Sequence, residues 1–191
     1  MKGKLFLILG SSGSGKGTVL NGLLTRHSDW VFPLSCTTRD KRPNEKDGEI
    51  YNFISKEEFR ERIERGEFLE HAVVHQDNYY GTLKGPILDA LEEGKVVIRE
   101  VDVQGLRSIR EIIPEDQLVS VFLTVESWDE LKGRILRRAE MSDEELEKRY
   151  QSFLAEKEWE KECDHVLMTE TGKTEEMIGV VDEIILNEIK K

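Results

Sequence analysis

The segment "LILGSSGSGKGTVL" (residues 7–20) carries an apolar run into a glycine-rich loop that ends in a lysine. Gly10, Ser11, Ser12, Gly13, Ser14, Gly15 and Lys16 have the spacing of a loop whose backbone N–H groups converge on phosphate oxygens. Glycines let such a loop turn and approach an anion closely, and the dipole of the following helix favours negative charge there. Lys16 would reach the β- and γ-phosphates of a nucleotide, while a hydroxyl serves Mg2+. In the usual pattern that hydroxyl follows the lysine directly. Here Gly17 stands in that place, and the hydroxyl comes one residue later, at Thr18. A flexible Gly/Ser turn that binds nothing would not need strand, lysine and helix patterns in register.

Two further stretches have side chains suited to phosphate chemistry. In "VVIREVDVQG" (96–105), strand alternation places Glu100 and Asp102 on one face and Arg99 on the other. Acids at the carboxyl end of a parallel strand, beside a phosphate loop, can hold Mg2+ water and face an acceptor. The pattern offers no role for Arg99. Residues 131–139 carry four cations, Lys132, Arg134, Arg137 and Arg138, and no acid. Arg134 and Arg138 are four apart, so a helix points both the same way.

Positioning these groups requires a particular kind of chain. Residues 5–9, 96–101 and 119–125 read as strands buried on both faces, with "HVLM" (165–168) as a further strand before a C-terminal helix. Helical stretches separate them, which predicts a mostly parallel sheet covered on both sides. Residues 35–84 differ. A polar, turn-rich loop is followed by "IYNFI", a helix opened by the capping box Ser55-x-x-Glu58, and "FLEHAVV". This predicts an inserted, partly β substrate lobe. The charged stretch 131–150 interrupts the later helical region and reads as a mobile lid.

The bulk numbers narrow the partners. A chain of 191 residues is expected to form one domain, and its net charge of −11 lacks the basic footprint of a nucleic-acid binder. Any anionic ligand must be met by locally clustered cations. Cys36 and Cys163 have no Cys or His at metal-ligand spacing beside them and read as reduced thiols of a cytoplasmic protein. No apolar run approaches a membrane span, and "LFLIL" is too short for a signal peptide.

The most specific signal is an ordered set: "SCTTRDKRPNEKDGEIYNF" (35–53), "GEFLEHA" (66–72), "NYYGT" (78–82) and "REVDVQG" (99–105). Together with the loop, whose "GSGKGT" form is similar to that of adenylate kinases and their relatives, this set closely resembles the guanylate kinase family over nearly the whole chain. The resemblance implies an α/β fold: a P-loop NTPase-type parallel sheet covered by helices, with an inserted mixed α/β nucleotide-monophosphate lobe and a helical lid. It implies one domain over 1–191, with a core of 1–34, 85–126 and 161–191, a GMP-binding lobe of 35–84 and a lid of 127–160.

The resemblance also implies roles. Arg39, Arg42, Tyr51 and Tyr80 would grip the 5′-phosphate of GMP, as guanidinium forks and phenol hydroxyls suit phosphate oxygens. Ser35, Glu70, Thr82 and Asp102 would contact guanine. A carboxylate such as Glu70 can accept from N1–H and the 2-amino group together, and hydroxyls can donate to O6. Arg134, Arg138 and Arg149 would clamp the migrating phosphoryl alongside Lys16, with Thr18 and Glu100 serving Mg2+ partly through water.

The implied activity is transfer of the γ-phosphoryl of ATP to GMP, with dGMP as a further acceptor, in purine nucleotide metabolism. The implied partners are these small molecules, with no nucleic acid, membrane or obligatory protein partner. Three departures from the family pattern are Glu100 for aspartate, Ala139 for glycine and Thr169 where an asparagine meets the donor base. Two other readings stay open: a guanylate kinase-like interaction module without catalysis, and a kinase with another acceptor. Lys16 and the lid arginines oppose the first; Glu70 and Thr82 oppose the second.

Overall fold

The computed structural model describes residues 2–43, 45–49, 51–74, 77–137 and 140–191. The first half of the chain contains β1 (Lys4–Gly10), α1 (Lys16–Arg26), β2 (Ser35–Thr37), β3 (Tyr51–Phe53), α2 (Lys56–Glu64), β4 (Phe68–Val74) and β5 (Asn78–Leu83). Next come α3 (Lys84–Glu92), β6 (Val96–Glu100), α4 (Val103–Arg110) and β7 (Leu118–Thr124). The chain ends with α5 (Trp128–Leu136), α6 (Asp143–Lys157), β8 (His165–Met168) and α7 (Thr174–Glu188).

Period-two alternation in β1 explains the layering. Leu5, Leu7 and Leu9 project to one side, where Ile87 and Leu91 of α3 and Leu106 and Ile109 of α4 cover them. Phe6 and Ile8 project to the other, against Val19 and Leu23 of α1 and Ile178, Val181 and Ile185 of α7. Both faces of β1 are therefore dry, and it lies inside an all-parallel sheet of order β6-β1-β7-β8. The three buried runs are those strands, as expected. At the edge, β8 is buried on one face only: Val166 and Met168 are exposed while Leu167 packs on the core.

A second sheet, of order β3-β2-β5-β4, is mixed: β3 runs parallel to β2, and the other pairs are antiparallel. Its apolar face, which includes Cys36 and Phe68, is closed by α2 through Phe59, which stacks on Phe68 with ring centroids 4.2 Å apart. Ser55 caps α2 by accepting from the Glu58 N–H at 3.0 Å, while the Glu58 carboxylate pairs with Arg62 at 2.7 Å. The complete reciprocal box is at Ser142 and Glu145, where it starts α6.

The two sheets are joined beside β6. Val31 pairs with Val97 in a parallel bridge, so residues 31–35 leave the edge of the first sheet alongside β6 before entering β2. This course brings Pro33 and Ser35 beside Arg99. α5 and α6 share an apolar contact of Val125, Leu131, Ile135, Leu146 and Phe153. Among the described residues, no helix is long and apolar enough to cross a membrane.

Candidate functional site

The glycine-rich loop follows β1 directly. Gly10, Gly13 and Gly15 have φ of 137°, 100° and 103°, a region that L side chains rarely enter. At Gly10 the constraint is doubled, because a Cβ would stand 2.2 Å from the Leu123 carbonyl oxygen. Gly15 is the N-cap of α1, and Lys16 begins the helix. Lys16 Nζ donates to the carbonyls of Gly10 at 2.6 Å and Ser11 at 3.2 Å, and lies 3.6 Å from Glu100 Oε1. Ser11 and Ser14 are buried, and the Ser14 hydroxyl has no partner among the described residues. Exposed Ser12 accepts from Arg149 of α6 at 3.0 Å.

Gly17 and Thr18 occupy different surroundings. A Cβ at Gly17 would meet nothing within 4 Å, and this residue lines a large cavity. Thr18, one step round the helix, is exposed and is not on the cavity wall.

That cavity, of about 930 Å³, runs from the loop to the second sheet. Its walls include Gly10, Ser12 and Lys16 at one end, Glu100 and Asp102 between, and Ser35, Tyr51, Glu70 and Tyr80 at the other. Sheet register assembles the far end: Thr82 of β5 stands opposite both Ser35 of β2 and Glu70 of β4. Thr82 is fully buried, and its hydroxyl donates to Glu70 Oε1 at 2.5 Å. Asp102 caps α4, with Oδ1 accepting from the Gly105 N–H at 2.8 Å.

Tyr51 meets Tyr80 edge-on, with centroids 5.8 Å apart, and Arg39 lies over Tyr51 at 5.2 Å and Phe53 at 5.3 Å. Arg39 is also gripped by Glu45 through two hydrogen bonds of 2.6 and 2.7 Å. This pairing raises the guanidinium pKa further and, with the Arg42 N–H, holds the Glu45 carboxyl down at about 2. The Arg42 side chain is exposed, and neither arginine is on the cavity wall.

The arginines of α5 and α6 go different ways. Arg149 reaches the loop at Ser12. Arg134 turns instead to the end of β8, donating to Glu130 at 2.6 Å, to the Thr169 hydroxyl and carbonyl at 2.8 and 2.7 Å, and to Thr171 at 3.2 Å. Its hydrogen bond holds the Glu130 carboxyl below the usual range. Thr169 is buried and donates to the Thr124 carbonyl at 3.0 Å, so its side chain is part of this network. Arg138 and Ala139 lie outside the described residues.

Three residues at the site have no assigned role in the sequence reading: Glu45, Arg99 and Glu156. Glu156 lines the cavity from α6 and has one buried carboxylate oxygen without a partner among the described residues. It stands seven residues after Arg149, two helical turns along the same face, which is a legible signal. Glu45 follows Arg42 by three residues, a spacing at which a turn can return the carboxylate to the arginines. Arg99 donates to the Pro33 carbonyl at 3.0 Å and to the Ser35 hydroxyl, contacts no local pattern encodes.

One cavity thus joins the glycine–lysine loop to the polar residues Ser35, Tyr51, Glu70 and Tyr80 of the second sheet. The family model for guanylate kinase matches residues 2–188. The chain belongs to the guanylate kinase family. A guanylate kinase of Clostridioides difficile is 41% identical over 182 residues, covering 94% of this chain and 87% of that protein. A guanylate kinase of Thermotoga maritima is 38% identical over 191 residues, covering 100% and 90%. A crystal structure of guanylate kinase from Anaplasma phagocytophilum superposes with a TM-score of 0.75 at 28% identity, covering 100% of this chain and 88% of that one. The α/β architecture expected from the family resemblance is therefore the observed one.

Proposed function

We propose that this protein is an ATP:GMP phosphotransferase whose two substrates meet in the 930 Å³ cavity. The observation that carries this reading is the cavity itself, whose wall holds Lys16 at one end and Ser35 and Glu70 at the other. The loop from Gly10 to Thr18 would receive the phosphates of ATP, with Lys16 leaving its carbonyl partners for the β- and γ-phosphates. GMP would lie against the second sheet, its base on Ser35, Glu70 and Asp102 and its phosphate toward Tyr51, Tyr80, Arg39 and Arg42. Glu45 would orient Arg39 while leaving other guanidinium donors for the phosphate.

Transfer would be in line. A GMP phosphate oxygen forms a bond to the γ-phosphorus while the bond to the β–γ bridging oxygen breaks, giving GDP and ADP. No general base is needed, because the second pKa of a phosphate monoester is about 6 and the attacking oxygen is largely ionised at neutral pH. Catalysis then rests on alignment and on neutralising charge with Lys16, Arg149 and, in a closed arrangement of residues 127–160, Arg134 and Arg138. Closure would also exclude water, the competing acceptor.

The residues fit a Mg2+ ion carried by nucleotide phosphates. Glu100 offers a single carboxylate near Lys16, and no group of three or more His, Cys, Asp or Glu among the described residues could cage a metal. Such a donor set suits an ion held through water and phosphate oxygens. Bound there, Mg2+ would offset charge on the β- and γ-phosphates. The Thr18 hydroxyl is off the cavity wall, so this part of the proposal rests on Glu100.

A coupled ADP-release assay with MgATP, offering GMP, AMP, CMP and UMP in parallel, tests the reading. Turnover with GMP and little with the others is expected. Silence with all four, in folded protein that binds GMP by calorimetry, would favour a binding module.

A further inference from the structure

We propose that Arg99 is a positioning residue for nucleobase selection: it fixes the Ser35 hydroxyl as a hydrogen-bond donor aimed into the cavity, selecting a purine with a 6-oxo group. This inference rests on the reading of the far end of the cavity as the site of the acceptor base.

Two hydroxyls face each other across adjacent strands, Ser35 on β2 and Thr82 on β5, and Glu70 of β4 stands on the far side of Thr82. The Thr82 proton is already given to Glu70 at 2.5 Å, so this hydroxyl has no proton left for a ligand. Ser35 is the opposite case. Arg99 Nη2 donates to Ser35 Oγ, and a guanidinium has no acceptor with which to take a proton in return. The serine hydroxyl must therefore accept on that side and turn its single proton elsewhere. Among the described residues nothing accepts it, and Ser35 is on the cavity wall. A base with a 6-oxo oxygen supplies the missing acceptor. A 6-amino group would bring a donor against a donor, the kind of mismatch that costs a polar site most.

Arg99 is held well enough for this task. Nη1 is fixed to the Pro33 carbonyl at 3.0 Å, in the segment that leaves the edge of β6. Its charge is offset by nearby carboxylates of Glu70 and Glu100, against the cost of burial, which pulls the guanidinium pKa down. Nε is buried and without a partner among the described residues. Packing alone does not explain such a residue, since an apolar side chain at a buried charged position is often neutral or stabilising. Because arginine does not lose its proton at physiological pH, the serine stays oriented at every working pH.

The test is a double-mutant cycle on the full chain, using Arg99→Met, Ser35→Ala and the pair, with Arg99→Lys as the conservative variant. Steady-state kinetics would be measured with GMP and with ATP, and folding checked by thermal melting. Arg99→Met is expected to raise KM for GMP about tenfold, the worth of one such hydrogen bond, with kcat within about threefold and KM for ATP unchanged. Ser35→Ala should do the same, and the pair should be no worse than Ser35→Ala within about twofold. Arg99→Lys should recover most of the loss. Multiplying effects in the pair would overturn the proposal, because Arg99 would then act independently of Ser35. So would an unchanged KM for GMP in Arg99→Met. If Arg99→Met does not fold, an unchanged KM for GMP in Ser35→Ala overturns it. Failure of the wild-type protein itself to phosphorylate GMP is a different result, and sinks the functional reading instead.

Discussion

Replacing Glu70 by Gln keeps its shape and removes its charge, which makes it a sharp test of base reading. Glu70 Oε1 accepts from the buried Thr82 hydroxyl, and the residue lines the cavity. Against guanine, a carboxylate can accept from N1–H and from the 2-amino group at once. Glutamine offers one carbonyl oxygen, and its amide NH2 places donors against a donor. The loss is at least one charge-assisted hydrogen bond, about 1.5–3 kcal/mol, with a further cost for a buried donor left unmet. A total of about 2–4 kcal/mol corresponds to roughly a 30- to 1,000-fold rise in KM for GMP. The Thr82 hydroxyl keeps an acceptor in the glutamine oxygen, so the melting temperature should move little. In the proposed arrangement ATP lies at the other end of the cavity, so its KM should stay within about twofold of the wild-type value. The assay is initial-rate ADP release, varying GMP at saturating ATP and then the reverse, with a melting curve for each protein. A folded Glu70→Gln enzyme whose KM for GMP rises less than about fivefold, or equally with that for ATP, would refute the reasoning.

Three further outcomes are expected. Lys16→Met should lower kcat by about two orders of magnitude or more, with the melting temperature nearly unchanged; unaltered turnover would remove the loop from catalysis. The Glu45 carboxyl should titrate near pH 2 by NMR and move back toward 4.5 in Arg39→Ala. Its folded pKa is depressed, so its contribution to stability is present above about pH 4.5 and is lost as pH falls through about 2; a wild-type midpoint near 4.5 would show that the Arg39 grip is not formed in solution. Gly22→Ala sets helix propensity, a gain of up to about 1 kcal/mol, against overpacking of about 1–3 kcal/mol. A Cβ there would stand 2.4 Å from Ile178 Cδ1 and 2.9 Å from its Cγ1, so the whole side chain must move. A melting temperature lower by about 2–6 °C is expected, and a rise would show that α7 yields freely.

Much of the site was legible because its signals are local. Loop glycines and lysine are set by spacing, and their left-handed φ values follow from the turn that spacing requires. The buried strands were readable for the same reason, since a run of apolar residues dry on both faces has few other uses. Other signals were local but incomplete. Glu45 sits three residues from Arg42, yet its bidentate grip on Arg39 needs the turn to close. Glu156 shares a helix face with Arg149, but no pattern says that the face meets a cavity.

Arg99 shows where locality ends. Strand alternation correctly separates it from Glu100, whose carboxylate goes to Lys16, but cannot say what lies beside β6. Only the course of residues 31–35 along that edge puts Pro33 and Ser35 within reach. The same holds for Arg134, for which the family resemblance implies a phosphoryl clamp while its hydrogen bonds run to Glu130, Thr169 and Thr171. The sequence by itself determined the glycine-rich loop, the parallel core and the identity of the polar groups, because these depend on residue type and short-range spacing. Tertiary structure alone decided which hydroxyl has a proton to give and which arginine is already committed. A hydrogen bond exhausts its donor, and its partner can stand 64 residues away along the chain, as Ser35 does from Arg99.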